Sequence, residues 1–227
     1  MRIRLLLISV AVLLSVALIT STAQAATIFA QTPARNDGIR SDLDSVFFRA
    51  ADDFSIGAND TARSVSWVGA YAFFDTPVAV DNFSINFFSD AAGQPGVLLQ
   101  TFAVGNAVNR APTGGNISGF TEFSYSADLG AGFSITAGTT YWLGVFNNTA
   151  ADSNDDWFWG TAQPGAGTAA VSNNSGASWS LILASTYFVV DNANIAAVPE
   201  PTSLLLLGSG ALGLIANARR RRKQAAK

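Results

Sequence analysis

The stretch VSWVGAY, residues 65–71, alternates large apolar side chains with smaller ones. Val65, Trp67 and Tyr71 are two or four positions apart, so an extended chain turns all three toward one face. The stretch FSINF, residues 83–87, repeats the pattern with an apolar side chain at every second position. This period of two predicts β-strands that pack one face against a hydrophobic core.

Similar short runs, rich in aromatic and β-branched residues, recur along the chain at 133–135, 141–146, 157–159 and 187–190. Turn-forming sequences separate them, for example GQPG at 93–96 and NNSG at 173–176. Between the two ends of the chain there is no sustained i, i+3, i+4 apolar spacing of the kind that predicts helices. We therefore predict an all-β domain at 26–197, an antiparallel β-sandwich or jelly roll, with 31–40 as an irregular entry segment.

The residue composition excludes several classes of protein. The chain has no cysteine and no histidine, so disulfides, zinc-thiolate sites and catalysis by Ser-His-Asp or Cys-His groups are excluded. Any metal would be a hard cation held by oxygen atoms, calcium first, and no other cofactor is predicted. Residues 26–198 carry fifteen acidic residues against five arginines, which argues against binding to nucleic acid.

The first 25 residues have the form of a secretory signal peptide. Arg2 and Arg4 precede an apolar stretch at 5–19, and small residues ending in Ala-Gln-Ala follow it. This order predicts export across the inner membrane, with cleavage between Ala25 and Ala26.

The segment 198–227 carries a second apolar run. Residues 203–218 would form a transmembrane helix about 24 Å long, slightly shorter than the apolar core of a bilayer. Pro199 and Pro201 precede this helix and suit its start. A basic cluster follows it, made of Arg219, Arg220, Arg221, Arg222 and Lys223. Basic residues mark the cytoplasmic end of a membrane helix, so the domain at 26–197 is expected on the outer side.

The motif Val198-Pro199-Glu200-Pro201, the apolar helix and the basic cluster, in this order, resemble the PEP-CTERM sorting signal of Gram-negative bacteria that make exopolysaccharide. The resemblance implies that a membrane protease-transpeptidase, exosortase, is a partner of the protein. It also implies that the tail is a temporary membrane anchor, removed when the protein is transferred to the cell surface or beyond.

The middle of the chain is similar to exported bacterial β-sandwich domains that often precede this sorting signal. The similarity is carried by ADDF at 51–54, SVSW at 64–67, FFSD at 87–90 and AGTTYWL at 137–143. These motifs are mainly turn and core signals, so the resemblance implies the fold and transfers no activity.

The loop DSNDD, residues 152–156, is the densest group of oxygen ligands in the chain. Its candidate calcium ligands are Asp152, Asn154, Asp155 and Asp156. The loop lacks the full spacing of a known calcium loop, and a solvated acidic turn is the favoured alternative. The pair Asp52-Asp53 is a second candidate, for which the edge of a strand is the favoured interpretation.

Trp157 and Trp159 follow the acidic loop and fall on one face of a predicted strand. Flat aromatic side chains beside polar groups suit the faces of sugar rings, so this pair is the candidate ligand-binding site. The alternative is that both belong to the core, as most tryptophans of a sandwich do.

These observations lead to one hypothesis and two alternatives. The hypothesis is an exported, non-enzymatic protein with a structural or adhesive role linked to exopolysaccharide or biofilm. The first alternative is a carbohydrate-binding module, calcium-dependent if the acidic loop takes part. The second is a glycosidase, which needs paired carboxylates. Glu122 is the single glutamate of residues 26–197, and no pair of acids stands out by its spacing.

Overall fold

The computed structural model of the protein describes residues 26–43, 48–72, 80–150, 156–164 and 167–195. These ranges contain thirteen strands and no helix. The first seven strands are β1 Thr27–Ala30, β2 Pro33–Arg40, β3 Arg49–Phe54, β4 Asp60–Ala72, β5 Phe83–Asp90, β6 Pro95–Gly105 and β7 Asn109–Ile117. The remaining six are β8 Phe120–Ile135, β9 Tyr141–Asn147, β10 Asp156–Ala162, β11 Ala169–Ser172, β12 Ser180–Ile182 and β13 Phe188–Asp191.

The strands form two antiparallel sheets, which confirms the predicted all-β fold. Sheet A runs β1-β13-β4-β10-β2, and β8 joins the other edge of β4 and pairs in turn with β7. Sheet B runs β12-β11-β3-β9-β5-β6. The prediction of an irregular segment at 31–40 is wrong, because residues 33–40 form β2. Pairing with β10 supplies the hydrogen bonds of this strand, so tertiary context overrides its weak local β-propensity.

One hydrophobic core fills the space between the sheets. The three apolar residues that VSWVGAY turns to one face are all buried, as predicted. The ring of Trp67 lies 5.2 Å from that of Phe83, centroid to centroid, and the ring of Phe87 stacks on that of Phe133 at 4.2 Å. Each of these contacts joins a strand of sheet A to a strand of sheet B. The sheets therefore pack face to face, as the layers of a β-sandwich do.

Gly69 is the one residue without a side chain on the apolar face of VSWVGAY. A Cβ atom at this position would lie 2.5 Å from the indole ring of Trp157 and 2.8 Å from the backbone oxygen of Phe158. Glycine is thus required because the large side chain of the neighbouring strand β10 packs directly over the β4 backbone.

The second half of β4 is buried on both faces. Val68 and Ala70 point away from the main core, but Ile117 and Phe120 of the β7–β8 hairpin pack against them in a small outer cluster. The end of this hairpin therefore covers part of the outer face of sheet A.

The two ends of the described domain meet in sheet A. The last strand, β13, lies between β1 and β4. The backbone N–H of Ala26 donates to Oδ1 of Asn192 at 3.0 Å, and the N–H of Asn192 donates to the carbonyl oxygen of Ala26 at 3.0 Å. Ala26 and Asn192 consequently lie side by side.

Most of the predicted targeting features lie outside the described residues. They are the signal peptide with Ala25, the motif Val198-Pro199-Glu200-Pro201, the helix at 203–218 and the basic cluster at 219–223. Within the described ranges, no helix has the length and apolarity needed to span a membrane.

Candidate functional site

Trp157 and Trp159 lie in the core and not at the surface. Both side chains are fully buried, because β10 turns alternate residues into the space between the sheets. Trp157 packs edge-on against Phe83 at 5.0 Å, and the indole N–H of Trp159 donates to the carbonyl oxygen of Tyr187 at 2.8 Å. The two residues share a face, as predicted, but this face is internal. The prediction of an exposed pair for stacking on sugars is therefore wrong.

Of the four predicted calcium ligands, Asp156 belongs to the described part of the chain, and Asp152, Asn154 and Asp155 lie outside it. Asp156 begins β10 and forms an ion pair with Arg40 of β2. Its carboxylate is thus already balanced by a cation of the protein. Across the described ranges, no three acidic side chains are grouped so that they could hold a metal ion. A calcium site that uses the rest of the loop stays a prediction.

Asp42 is a buried carboxylate that sequence reasoning did not single out. Its oxygen atoms accept hydrogen bonds from the hydroxyl of Thr149 at 2.8 Å and from the backbone N–H of Trp157 at 2.7 Å. Thr149 and Trp157 flank the acidic loop on either side. Asp42 therefore fixes both ends of this loop, which is a structural role.

Asp52 is also fully buried, so the candidate metal site at Asp52-Asp53 is not supported. One of its oxygen atoms accepts hydrogen bonds of 2.5 Å from the Ser185 hydroxyl and from the Thr186 backbone N–H. Burial raises the pKa of Asp52 from 3.8 to about 6, although these hydrogen bonds act in the opposite direction. Both acids lie within β3, and Asp52 connects that strand to the segment before β13.

A groove of about 360 Å³ lies on the outer face of sheet A. Strands β4, β8 and β7 form its floor, where Ser66 is paired with Ser126 and Ser126 with Asn109. The side-chain amide of Asn109 donates to the Ser126 hydroxyl at 3.3 Å. Ser124 lies on the same face, and its hydroxyl donates to the carbonyl oxygen of Ala111 at 3.2 Å. The floor is therefore a row of small polar side chains that donate and accept hydrogen bonds.

Arg35 of β2 and Tyr187 stand at the side of this groove. The side chain of Arg35 is 55% exposed, and its backbone has a φ of +58°, a conformation that non-glycine residues seldom adopt. Arg110 also lines the groove, but its guanidinium donates to the buried carboxylate of Asp81 at 3.0 Å. No aspartate or glutamate is among the described residues that line the groove. Arg35 therefore brings a half-exposed guanidinium group to the groove, in an ion pair with Glu122.

Glu122 lies behind the floor, where it holds two groove residues in place. Oε1 of Glu122 accepts a hydrogen bond from the Thr113 hydroxyl at 2.6 Å and lies 4.0 Å from Nε of Arg35. Its side chain is fully buried, so it has no surface for a ligand. Glu122 thus positions Thr113 and Arg35 and does not face a second carboxylate across the groove.

Sequence reasoning missed the groove because its residues come from distant parts of the chain, between Pro33 and Tyr187. Serine and threonine are common in this protein, and none of them stands out. The available signal was the polar side of the alternation itself, Ser66 beside Trp67 and the pair Ser124 and Ser126 around Tyr125. Only the pairing of β4 with β8 brings these hydroxyl groups together.

Two family models match the chain. The first, described as a domain of unknown function (DUF7901), matches residues 27–198. The second, the PEP-CTERM protein-sorting motif, matches residues 197–222 and confirms the resemblance of the tail to that signal. No curated protein and no solved structure matches the chain.

Proposed function

We propose a function for this chain, which belongs to the DUF7901 family. It is a non-enzymatic adhesive protein of the cell surface that holds exopolysaccharide in the groove on sheet A. The PEP-CTERM motif implies export, a transient C-terminal anchor and processing by exosortase. A protein delivered in this way works among extracellular polymers, where polysaccharide is the ligand that the groove suits best.

The observation that supports this proposal is the polar floor of the groove. Ser66, Ser124, Ser126 and Asn109 present hydroxyl and amide groups on one sheet face, spaced by about 4.8 Å between strands and about 6.8 Å along them. Such groups donate and accept hydrogen bonds, as the hydroxyl groups of a sugar chain do. The groove volume of about 360 Å³ falls in the range of pockets that hold small ligands or short segments of longer ones.

Arg35 adds a preference for acidic sugars. A guanidinium group binds a carboxylate through two parallel hydrogen bonds, and about half of this side chain is open to solvent. The described lining residues of the groove include no acidic group, and Glu122, which pairs with Arg35, is buried behind the floor. The same composition of the lining favours binding over hydrolysis, because a glycosidase needs two carboxyl groups beside the scissile bond.

The test is retention of the exported, processed protein on the exopolysaccharide of its own host. We expect the double variant Ser124→Ala/Ser126→Ala to bind about tenfold or more weakly, since each lost hydrogen bond costs about 1 kcal/mol. Ser134→Ala is the matched control, because Ser134 is exposed on the same strand outside the groove. Arg35→Gln should weaken binding of an acidic polymer further, while Arg63→Gln, outside the groove, should not.

Calcium separates this proposal from the calcium-dependent alternative. Retention through the groove should be the same with calcium and with a chelator, because no carboxylate is among the described residues that line the groove. Retention that disappears with chelator and is unchanged in the groove variants would move the binding site to the acidic loop. No retention of the unmodified protein would contradict any polysaccharide-binding role.

A further inference from the structure

Gln31, Ser185 and Asp52 form a group of polar side chains that connects the beginning of the domain with its end. Gln31 follows β1, Ser185 precedes β13, and Asp52 lies in β3 of the other sheet. Nε2 of Gln31 donates to the hydroxyl oxygen of Ser185 at 2.8 Å, and this hydroxyl donates to Oδ2 of Asp52 at 2.5 Å. The first two residues are in contact although they are 154 positions apart in the chain.

The hydrogen bonds orient these side chains as a nucleophile, a base and an electrophile. The proton of the Ser185 hydroxyl points at a carboxylate that can accept it, and the hydroxyl oxygen faces the side-chain amide of Gln31. The carbonyl oxygen of that amide, Oε1, accepts a hydrogen bond from the backbone N–H of Phe188 at 3.3 Å. A donor in this position stabilises the negative charge that forms on a carbonyl oxygen under attack.

We infer that Ser185 and Gln31 react with each other to form an intramolecular ester, with loss of ammonia. Asp52 accepts the Ser185 proton while Oγ attacks Cδ of Gln31, and the negative charge that forms on Oε1 is stabilised by the Phe188 N–H. The C–N bond then breaks, and Asp52 returns the proton to the nitrogen, which leaves as ammonia. The reaction needs no oxidant, metal or further reactant, and Asp52 is unchanged at its end.

The attack requires little movement. Cδ of Gln31 is one bond of about 1.33 Å from Nε2, so it lies within about 4.1 Å of the Ser185 oxygen. The terminal torsion of a glutamine side chain has broad minima, so the amide plane can turn until its carbon faces the hydroxyl. Burial raises the pKa of Asp52 to about 6, which suits a group that first accepts a proton and then returns it.

The surroundings and the composition of the domain favour this reaction. Ser185 is 4% exposed and Asp52 is inaccessible to solvent, so the serine hydroxyl, and not water, lies beside the base. Gln31 is half-buried, which leaves a way out for ammonia. The chain has no cysteine for a disulfide, and residues 26–198 have no lysine whose amine could react with a side-chain amide. Hydroxyl groups are the nucleophiles that remain for a cross-link.

The ester ties the last strand of sheet A to the start of the domain. β13 lies between β1 and β4, so a force on the chain beyond Asp191 acts first on this strand. The bond at Ser185 holds the chain before β13 to the connection between β1 and β2, so that separation of β13 goes no further. Neither Gln31 nor Ser185 lines the groove on sheet A, and the cross-link is therefore independent of polysaccharide binding.

The intact mass of the exported protein is the first measurement. After correction for the substitution, the wild-type protein should be lighter than Ser185→Ala by one molecule of ammonia. Asp52→Asn should keep the ammonia too, because it lacks the base. Thr186→Val is the matched control, since it removes a neighbouring hydroxyl that also donates to Asp52, at 3.1 Å, and it should lose ammonia as the wild-type protein does.

Digestion of the wild-type protein with trypsin locates the bond, whether or not the variants fold. Gln31 lies in the tryptic peptide 26–35, and Ser185 lies in the peptide that begins at Ala111. These two peptides should remain joined after denaturation. Hydroxylamine, which cleaves esters, should separate them and leave a hydroxamate at residue 31.

Separate peptides from the wild-type protein would overturn the inference. A loss of ammonia confined to one peptide would overturn it as well, because that change indicates a succinimide at an asparagine. Joined peptides that persist in Ser185→Ala would show that another hydroxyl group is the nucleophile and would equally contradict the assignment.

Discussion

Asp52 shows how one buried carboxyl group makes the stability of this domain depend on pH. Its side chain is inaccessible to solvent and accepts hydrogen bonds from Ser185 and Thr186. These bonds favour the charged form, while burial disfavours it more strongly and raises the pKa to about 6. Between pH 3.8 and about 6, the folded domain therefore holds a proton that the unfolded chain releases.

We predict that this proton makes the domain less stable as pH rises. The free energy of unfolding of the unmodified protein should fall, relative to that of Asp52→Asn, by up to about 3 kcal/mol between pH 4 and pH 6.5. Urea unfolding of both proteins across this range measures the difference. Well below pH 3.8 the difference should be constant, because Asp52 is then protonated in both states. A constant difference over the whole range would show that Asp52 is not the titrating group.

At the scale of the strand, the pairing of β4 with β10 depends on a missing side chain. Gly69 leaves the space into which Trp157 packs, and this fit sets how the two strands lie against the core. An alternating apolar pattern with a glycine on its inner face is thus a sign of close packing by a neighbouring strand.

Gly69→Ala should destabilise the domain by about 1–3 kcal/mol, because the added Cβ would overlap the Trp157 ring and a backbone oxygen that cannot move freely. Gly57→Ala is the matched control, since a Cβ atom there has no neighbour within 4 Å. Thermal or urea unfolding of the two variants provides the comparison. Equal stability of both would mean that β4 and β10 separate at little cost.

Sequence patterns identified the strands whose apolar residues alternate, such as 65–71 and 83–87, because burial of one face places an apolar residue at every second position. They did not identify β2, whose polar sequence is made a strand by its neighbour β10. They also could not tell an inward from an outward tryptophan at 157, since alternation gives the period of a strand and not which face meets the second sheet. The groove depends on contacts between five distant segments, and the serines beside Trp67 and Tyr125 do not by themselves distinguish it from any other polar strand face.

At the scale of the whole molecule, charge is distributed unevenly. The exported domain is acidic, while its groove carries a half-exposed arginine. Salt screens the attraction between this arginine and an acidic polymer, and it also screens the repulsion between that polymer and the rest of the acidic domain.

We predict that the loss of binding caused by Arg35→Gln becomes smaller as ionic strength rises from about 0.01 M to about 0.15 M, where the screening length falls from about 30 Å to about 8 Å. Salt screens the attraction between the guanidinium group and an acidic polymer, so the charge of Arg35 counts for less in the second buffer. Retention of the unmodified protein and of Arg35→Gln on an acidic polymer in each buffer gives the comparison. An equal difference between the two proteins in both buffers would contradict an electrostatic role of Arg35.

The position of β13 between β1 and β4 also sets an order of events. β1 is among the first parts of the domain to be synthesised, yet in the described structure it pairs with β13 alone, about 160 residues later. The match to the sorting motif begins at residue 197, within a few residues of the end of β13. Sheet A can therefore be completed only after β13 has been synthesised, and the sorting motif is synthesised directly after it. A chain that stops short of residue 188 would therefore lack both the strand that joins β1 to sheet A and the sorting motif.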